Sequence, residues 1–429
     1  MRTFWIKTLG CKVNQYEGEA IRERLEESGL SEVESVGLAD LRIVNTCTVT
    51  SRADSKSRNA IFSAIRNKKK SQVLVTGCMA KFDKEILARN IKGIDYIIPK
   101  SFFSDRINRF FHKTRAFVKI QDGCNNKCSY CKVSLVRGSS RSRSEKEIIT
   151  EIKNLLENGF KEIVLAGVCL GSYGADLKSK ASLVSLIDKL HNYPELKRIR
   201  LSSIEPHLVK DELIKLMANS DKLCRHLHIP LQSADNKILK LMNRNYNREG
   251  YLSLISRIRR VIPQIGITTD VLIGFPGEDN KNFQNTLNAL RKILPLRVHS
   301  FVYSPRQLTK AACLEQPKVD QDELRRRAKV LKQLSEELSS TFRSSFLNKD
   351  LLVLAETFKN GQISGYSDNY IRVNFSGSRD ILNKIVPIRI ENVDRFSTLG
   401  SIDLSKITQQ KYLSYCYDYS YKKESATLT

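Results

Sequence analysis

Short apolar runs alternate with amphipathic segments over the first quarter of the chain, a pattern typical of strands connected by helices. Three strands are predicted here, at Phe4 to Leu9, Leu41 to Val44 and Val73 to Thr76. Apolar positions four residues apart predict a helix over Glu17 to Ser28, which Gly29 ends. We therefore expect an open parallel α/β sheet over residues 1–113.

Six further apolar runs alternate with helical segments in the middle of the chain. The predicted strands are Phe117 to Ile120, Glu162 to Ala166, Arg198 to Leu201, His226 to Ile229, Thr268 to Ile273 and Val298 to Val302. Repeated strand and helix units favour parallel strands, and six repeats predict an incomplete (β/α)6 barrel over residues 114–345. A long charged helix is predicted at its end, from Asp320 to Ser345.

After Lys349 the pattern changes to short alternating runs, which are typical of antiparallel strands. These strands are predicted at Leu351 to Glu356, Gln362 to Tyr366, Tyr370 to Phe375 and Lys384 to Ile390. Asp368-Asn369 and Ser376-Gly377 supply turns. We expect a small antiparallel β-barrel over residues 346–410, followed by a tail, residues 411–429, for which the pattern predicts no role.

The net charge of the chain indicates what kind of partner the protein binds. The 429 residues include 72 Lys and Arg against 46 Asp and Glu, a formal charge of +26. Such a charge favours a polyanion, nucleic acid first, although a solvated basic surface without a partner is the alternative. The chain shows neither a signal peptide nor a run of about 18 apolar residues, so we expect a cytoplasmic protein with no membrane partner.

Three of the ten cysteines form a Cys-x3-Cys-x2-Cys loop, Cys124, Cys128 and Cys131, directly after a predicted strand. Three thiolates this close can hold three irons of a cubane cluster and leave the fourth iron without a protein ligand. The alternatives are a structural zinc site with a distant fourth ligand, or three unrelated core thiols. Zinc sites usually come as two Cys-x2-Cys pairs, which this chain lacks here.

A second set of cysteines, Cys11, Cys47 and Cys78, follows the three predicted strands of the first region. The ends of parallel strands lie along one edge of a sheet, so we expect these residues to meet there. Three buried apolar thiols are the alternative. The remaining cysteines have no matching spacing and are interpreted as ordinary thiols: Cys169, Cys224, Cys313 and Cys416.

The stretch from Gln121 to Cys131 resembles the radical S-adenosylmethionine superfamily. Three further stretches, Thr8 to Glu17, Leu170 to Gly174 and Thr268 to Glu278, resemble its methylthiotransferases, in the branch that acts on N6-threonylcarbamoyladenosine in tRNA. The C-terminal segment resembles the TRAM domain, an RNA-binding barrel. The resemblance thus covers nearly the whole chain.

The resemblance implies S-adenosylmethionine as cofactor and two 4Fe-4S clusters, the second one on Cys11, Cys47 and Cys78. It implies that sulfur enters C2 of an adenosine next to the anticodon and is then methylated. It also implies an electron donor such as a flavodoxin or ferredoxin. It does not identify the sulfur donor. The base must be unstacked, as in the single-stranded anticodon loop of a tRNA.

Alternatives within the class are methylthiolation of isopentenyladenosine in tRNA or of a ribosomal-protein aspartate, and the basic charge argues against the protein substrate. The alternative from another class is a non-catalytic iron-sulfur RNA-binding regulator.

The resemblance also assigns residues to the cofactor pocket, at strand ends or in glycine turns: Ser203, Glu205, Gln232, Gly274 and Gly277. A cap or a plain turn is the competing interpretation for each of them. Basic residues after the cluster loop are interpreted as phosphate ligands or as a solvated face: Arg137, Arg141 and Arg143.

Overall fold

The computed structural model of the protein describes residues 2–68, 70–99, 106–110, 113–178 and 181–402. In chain order they form an open parallel sheet, a crescent of six parallel strands and a closed barrel. The mixed α/β fold expected from the sequence is confirmed. No helix within these ranges is long and apolar enough to cross a membrane. The predicted tail, with Cys416, lies outside the described residues.

The first sheet contains five parallel strands among the described residues, in the order β2-β1-β3-β4-β5. Their bounds are β1 Thr3–Thr8, β2 Ser31–Glu32, β3 Leu41–Thr46, β4 Gln72–Thr76 and β5 Tyr96–Ile97. The helices around them are α1 Lys12–Glu27, α2 Ser51–Ile65, α3 Gly77–Phe82 and α4 Lys84–Asn90. The three predicted strands are confirmed, and they are neighbours in the sheet.

Helix α1 begins at Lys12, before the predicted start at Glu17. Asn14 explains the difference, because its polar side chain is buried in the first turn rather than exposed. Its amide donates hydrogen bonds to the carbonyls of Leu9 and Thr46, which ties the start of the helix to two strand ends. The predicted start at Glu17 rested on apolar spacing alone, which a buried polar residue does not follow.

The crescent has the order β6-β9-β10-β11-β12-β13, with β10 and β11 joined by isolated bridges. Its strands are β6 Arg115–Lys119, β9 Glu162–Ala166, β10 Arg198–Leu201, β11 His226–His228, β12 Gly266–Ile273 and β13 Arg297–Val302, and a hairpin follows β6, made of β7 Gln121–Asp122 and β8 Arg141–Ser142. Its helices are α5 Val133–Arg137, α6 Glu145–Glu157, α7 Leu183–Leu190, α8 Asp211–Asn219, α9 Asn236–Leu241, α10 Arg248–Val261, α11 Asn280–Ile293 and α12 Gln321–Ser344. All six predicted strands are present, as the (β/α)6 interpretation requires.

The outer face of the crescent is apolar and its inner face is polar. Ile163 and Leu165 of β9 belong to one buried cluster with Ile152 and Leu155 of α6. We call the inner space the lumen, defined by the inward side chains Arg115, Glu162, Arg200, His228, Asp270 and His299. These side chains contact one another across strands, as in the 2.6 Å Arg200–Glu162 and 3.2 Å His228–Asp270 pairs.

The C-terminal barrel closes in the order β14-β15-β16-β18-β17. Its strands are β14 Asp350–Lys359, β15 Gln362–Ser367, β16 Arg372–Ser376, β17 Ile385–Val393 and β18 Thr398–Ile402. The sequence pattern predicted the first four strands and missed β18. Gly400 lies in the middle of β18, where an added Cβ would come 2.3 Å from the carbonyl oxygen of Arg389. The glycine that allows this close pairing also weakens the strand signal in the sequence.

The loop between β15 and β16 closes the end of the lumen at which the strands begin. Arg198 donates to the carbonyls of Leu352 and Tyr366, at 2.6 and 3.0 Å. Arg200 donates to the carbonyls of Ser367 and Asp368, both at 2.9 Å. The Tyr370 ring lies 4.4 Å from that of His226, between centroids. We call this closed end, with Arg115, Arg200 and Tyr370, the floor of the lumen.

Glu162 balances the charge of this end of the lumen. It is fully buried and lies within 4 Å of three guanidinium groups, those of Arg115, Arg198 and Arg200. Burial opposes its ionisation, but Arg200 and then the other two arginines hold the pKa of Glu162 below its ordinary value. One carboxylate therefore compensates cations that anchor the C-terminal barrel.

We expect Glu162→Gln to lower the free energy of unfolding by about 3 to 5 kcal/mol, because the substitution leaves buried guanidinium groups without their counter-charge. Urea unfolding followed by circular dichroism measures the change. The matched control is Glu157→Gln on α6, where the carboxylate is exposed and the expected change is within about 0.5 kcal/mol. Equal stability of the two variants would show that Glu162 does not hold this interface.

Candidate active site

Cys11, Cys47 and Cys78 come together at the carboxyl edge of the first sheet. Cys11 caps the start of α1 after β1, Cys47 follows β3, and Cys78 is the second residue of α3 after β4. Because β1, β3 and β4 are adjacent and parallel, the three residues share one edge. This juxtaposition is the one expected from the strand ends.

The packing around Cys47 is tight. A Cβ added at Gly10, whose φ is +105°, would lie 2.9 Å from the Cys47 sulfur. Burial raises the pKa of the Cys47 thiol to about 11, and the neighbouring thiols of Cys78 and Cys11 raise it further in the same direction. A bound cation would favour the thiolates that burial disfavours.

Cys124, Cys128 and Cys131 lie in the loop after β7, and each sulfur accepts a hydrogen bond. The amides of Asn126 and Val133 donate to the sulfurs of Cys124 and Cys131, both at 3.4 Å. Arg244 donates to the sulfur of Cys128 at 3.0 Å. Three sulfurs with N–H donors fit the thiolate ligands of an iron-sulfur cluster, whose potential such bonds tune.

The same backbone turn occurs at both cysteine sets. In each case the amide two residues after the cysteine bonds to its sulfur: Val49 for Cys47, Asn126 for Cys124 and Val133 for Cys131. Among the described residues no three Cys, His, Asp or Glu side chains come together tightly enough to hold a single metal ion. A cubane does not need that spacing, because each thiolate binds a different iron.

Cys169, which the spacing did not single out, lies beside Cys124. A hydrogen bond from Cys169 lowers the pKa of Cys124 to about 7, and the same bond with burial raises the pKa of Cys169. The side-chain amide nitrogen of Asn126 is 3.9 Å from the Cys169 sulfur. Cys169 follows β9, so strand position was the only sequence signal for it.

Arg244 is a second residue of the site that sequence reasoning missed. Its guanidinium pairs with Glu205, which follows β10, and donates to Tyr246 as well as to Cys128. Tyr246 in turn donates to the carbonyls of Pro230 and Leu231. Arg244 therefore links the cluster loop to two strand ends.

The other predicted pocket residues occupy the same rim. Ser203 pairs with His228 across the β10–β11 junction, and Gln232 lies just past β11 with a φ of +61°. Such a φ is costly for glutamine and is typical of functional sites. Gly274 and Gly277 both have positive φ, but a Cβ at Gly274 would meet Leu324 of α12 at 2.1 Å, so that glycine also serves helix packing.

A buried ion network connects the two cysteine sets. Glu17 of α1 lies 3.2 Å from Lys119 of β6 and 3.3 Å from Arg137 of α5. Arg137 also pairs with Asp122 at 2.9 Å, two residues before Cys124. Cys78 and Cys11 also interact electrostatically with the Arg137 guanidinium. One guanidinium thus lies between the two sets.

This network corrects one interpretation from the sequence. Arg137 and Arg143 do not form a solvated basic face, because both are paired with carboxylates inside the protein. Arg143 pairs with Glu151 at 2.7 Å and donates to the hydroxyl of Tyr16 at 3.0 Å. Arg141 is the exposed member of the group.

The lumen below the cysteines is lined by titratable groups. The Thr268 hydroxyl forms hydrogen bonds of 3.0 Å with ring nitrogens of both His226 and His228. The other ring nitrogen of His228 lies 3.2 Å from the Asp270 carboxylate. Burial lowers the pKa of His299 to about 4, so this imidazole is neutral at pH 7. The lumen therefore offers hydrogen-bonding groups from β11, β12 and β13.

Comparison with protein families agrees with this geometry. Residues 118–290 match the radical SAM superfamily, and residues 3–99 match a family described as uncharacterized protein family UPF0004. The fold also resembles the radical S-adenosylmethionine methyltransferase TsrM from Kitasatospora setae, with a TM-score of 0.54 and 14% identity, over 73% of this chain and 77% of that one. The crescent is therefore a radical SAM fold.

Full-length relatives define the family. The threonylcarbamoyladenosine tRNA methylthiotransferase MtaB of Bacillus subtilis is 36% identical, over 91% of this chain and 94% of its own length. A tRNA-2-methylthio-N(6)-dimethylallyladenosine synthase of Clostridium botulinum is 33% identical, over 92% and 96%. The chain belongs to the methylthiotransferase family of radical S-adenosylmethionine enzymes. This superfamily uses S-adenosylmethionine with a 4Fe-4S cluster, which Cys124, Cys128 and Cys131 fit.

Arg244 is expected to tune that cluster. Reduction adds one negative charge, which a guanidinium bonded to the Cys128 sulfur stabilises. We expect Arg244→Gln to shift the reduction potential to a more negative value by about 60 mV, a tenfold change for one electron. A redox titration followed by electron paramagnetic resonance measures it. Arg248→Gln, a partly exposed arginine on α10, is the control, and equal potentials in both variants would contradict this role.

Proposed function

We propose that this chain inserts sulfur at C2 of N6-threonylcarbamoyladenosine next to the anticodon of tRNA and then methylates it. The observation that carries the proposal is that one buried ion network, made of Glu17, Lys119 and Arg137, joins two cysteine triads, one at the edge of the first sheet and one in the cluster loop. Relatives from Bacillus subtilis and Chlamydia pneumoniae, 36% and 35% identical, bear the corresponding name and support this substrate.

In this proposal Cys124, Cys128 and Cys131 hold the cluster that binds S-adenosylmethionine, and Cys11, Cys47 and Cys78 hold a second cluster. When bound, these groups would supply a hydrogen-abstracting radical from one S-adenosylmethionine and a site that carries the sulfur, and a second S-adenosylmethionine would donate the methyl group. The i+2 amide bonds support thiolates at three of the six positions. Cys47 is buried, and Gly10 approaches it so closely that an added Cβ would lie 2.9 Å from its sulfur.

The rim residues of the lumen bind and orient the cofactor in this proposal. Ser203, Glu205 and Gln232 present polar groups at the ends of β10 and β11, next to the cluster loop. Arg244 holds Glu205 in place. Gly274 and Gly277 let the backbone pass close to the adenine of the cofactor, beside their packing roles.

The tRNA is held by charge in this proposal. The net charge of +26 attracts the phosphate backbone. The C-terminal barrel adds exposed cations at strand ends and in the connection between β16 and β17, among them Lys359, Arg379 and Lys384, which make no ion pair with any described residue. The target base is unstacked from the anticodon loop and enters the lumen. Electrons come from a small donor such as a flavodoxin or ferredoxin.

A second candidate substrate is the dimethylallyl derivative of the same adenosine. The Clostridium botulinum relative that bears this name is 33% identical to the chain over 433 residues, close to the identity of the MtaB relatives. Both reactions place sulfur at C2 of adenine, so they need the same two triads. They differ only in the group on N6.

The test combines nucleoside mass spectrometry with cysteine variants of the purified enzyme. We expect tRNA from cells with the protein to contain the 2-methylthio derivative of N6-threonylcarbamoyladenosine, which is absent without it. Cys128→Ala should abolish 5′-deoxyadenosine formation. Cys47→Ala should retain substantial cleavage, give no methylthio product and bind about four fewer irons, the content of one cluster.

Cys313→Ala is the control, because this thiol is exposed and away from both triads in the sequence. Normal cofactor cleavage by Cys128→Ala would overturn the radical mechanism. Full product formation by Cys47→Ala would overturn the second cluster. Appearance of only the dimethylallyl product would assign the second candidate substrate.

A further inference from the structure

Helix α2 buries one side and exposes another side that carries no acidic residue. Ile61 and Ala64 are fully buried and belong to one apolar cluster with residues of β3 and β4. The opposite side follows positions three and four residues apart, which share one face of a helix. We call it the α2 face, which is about 21 Å long. It is defined by five exposed residues, from the first turn to the C-cap: Arg52, Lys56, Asn59, Ser63 and Arg66.

The cations of the α2 face have no counter-charge within the part of the chain that the structure describes. Arg52, Lys56 and Arg66 make no ion pair with any described residue. Lys68, just beyond the face, differs from them, because it pairs with Asp95 at 2.5 Å and donates to the carbonyl of Gly93 at 3.1 Å. The α2 face is therefore a stripe of uncompensated positive charge on the surface.

This arrangement of charges disfavours the helix by itself. Arg52 lies in the first turn, where the helix dipole favours a carboxylate and not a cation. Lys56 lies four residues further on, and like charges at this spacing destabilise a helix by about 0.2 to 0.5 kcal/mol. Asp54, the acidic residue of the first turn, pairs instead with Arg306 at 2.5 Å. A polyanion bound to the α2 face would offset both costs.

The α2 face begins beside the cysteine set of the first sheet. Ser57 of α2 accepts a hydrogen bond from the amide of Cys47 at 3.0 Å and donates to its carbonyl at 2.8 Å. Arg306, in the loop after β13, pairs with Asp54 and donates to the carbonyl of Thr48 at 3.0 Å. The start of α2 is thus fixed both to the residue after β3 and to the crescent. A ligand that lies along the α2 face approaches the candidate active site at its Arg52 end.

We propose that the α2 face is a phosphate-binding track for the substrate tRNA. This inference rests on the function proposed above and adds a surface on which the RNA backbone lies. Arg, Lys, Asn and Ser side chains all donate hydrogen bonds to phosphate oxygens in nucleic-acid complexes. The α2 face presents such donors over its whole length. Cations in this position hold the backbone next to the site at which the target base is unstacked.

An acidic protein fits the α2 face less well than RNA does. The cores of protein interfaces are rich in aromatic residues and depleted of lysine. The α2 face has no apolar residue, and Phe62, which is 50% exposed, lies only at its edge. A polar stripe of cations instead matches the phosphate contacts that dominate the affinity of nucleic-acid complexes.

The experiment measures the tRNA affinity of the holoenzyme, with both clusters loaded, at several salt concentrations. One variant replaces all three cations of the α2 face: Arg52→Gln, Lys56→Gln and Arg66→Gln together. We expect its plot of log affinity against log salt to be less steep than that of the wild type by about 2 to 3, because each phosphate contact contributes about 0.7 to 0.9. Its affinity at physiological salt should fall about ten- to a hundredfold.

The matched control removes the same charge from another exposed helix surface without acidic residues. Lys281→Gln, Arg291→Gln and Lys292→Gln together change α11 of the crescent, and this variant should lose less than one contact from the slope. A second control keeps the charge of the α2 face, because Arg52→Lys with Arg66→Lys should retain the wild-type slope. The iron content of every preparation is measured first, so that misfolding is not mistaken for lost binding.

Equal slopes in the wild type and the α2 variant, or an equal loss in the α11 variant, would overturn the proposal. Wild-type tRNA binding by the α2 variant together with slower reduction by a flavodoxin would also overturn it, and would assign the surface to an acidic protein. The proposed function fails separately, if mass spectrometry finds no methylthio product although the slopes differ as expected.

Discussion

The buried carboxylate of Glu17 is the contact on which the arrangement of the site depends. It forms ion pairs with Lys119 of β6 and Arg137 of α5. Both cations are as buried as the carboxylate itself. Removing one partner from such a cluster leaves an uncompensated charge in the interior. The network therefore fixes α1, which begins at a cysteine of the first triad, against the loop that carries the second.

Arg137 makes this connection chemically significant as well as structural. It lies between Asp122, close to Cys124 in sequence, and the thiols of Cys78 and Cys11. If both triads hold iron-sulfur clusters as proposed, a cation between them lowers the repulsion between their negative charges. The same residue thus sets the geometry of the two triads and makes their proximity electrostatically tolerable.

The three units of the chain contribute to one site. The first sheet supplies one triad, the crescent supplies the other triad and the lumen, and the C-terminal barrel closes the floor with Tyr370. Arg198 and Arg200 hold that barrel through backbone carbonyls, and Arg115 pairs with the side chain of its Glu356. A barrel that grips RNA in this position would be coupled directly to the chemistry.

The sequence predicted the parts that depend on local pattern. Strands of the crescent recur between helical segments, and the six cysteines follow strand ends or share a loop, so both could be inferred without a structure. Edge strands β2 and β5 have two residues each and leave no periodic signal.

Arg244 and Cys169 were missed for a different reason. Each is an ordinary residue in its local sequence and gains its role from contacts more than thirty positions away. Local spacing carries no information about such contacts. Gln232 was predicted at a strand end, but its left-handed backbone depends on pairing with β12.

The central claim is that the two proposed clusters lie next to each other, joined by the Arg137 network, and low-temperature electron paramagnetic resonance of the fully reduced holoenzyme tests it most directly. Cys47→Ala and Cys128→Ala supply the spectra of the single clusters. If the triads adjoin as the Arg137 network indicates, the wild-type spectrum is broadened by dipolar coupling and relaxes faster than either variant. A wild-type spectrum equal to the sum of the two variant spectra, with unchanged relaxation, would contradict the claim.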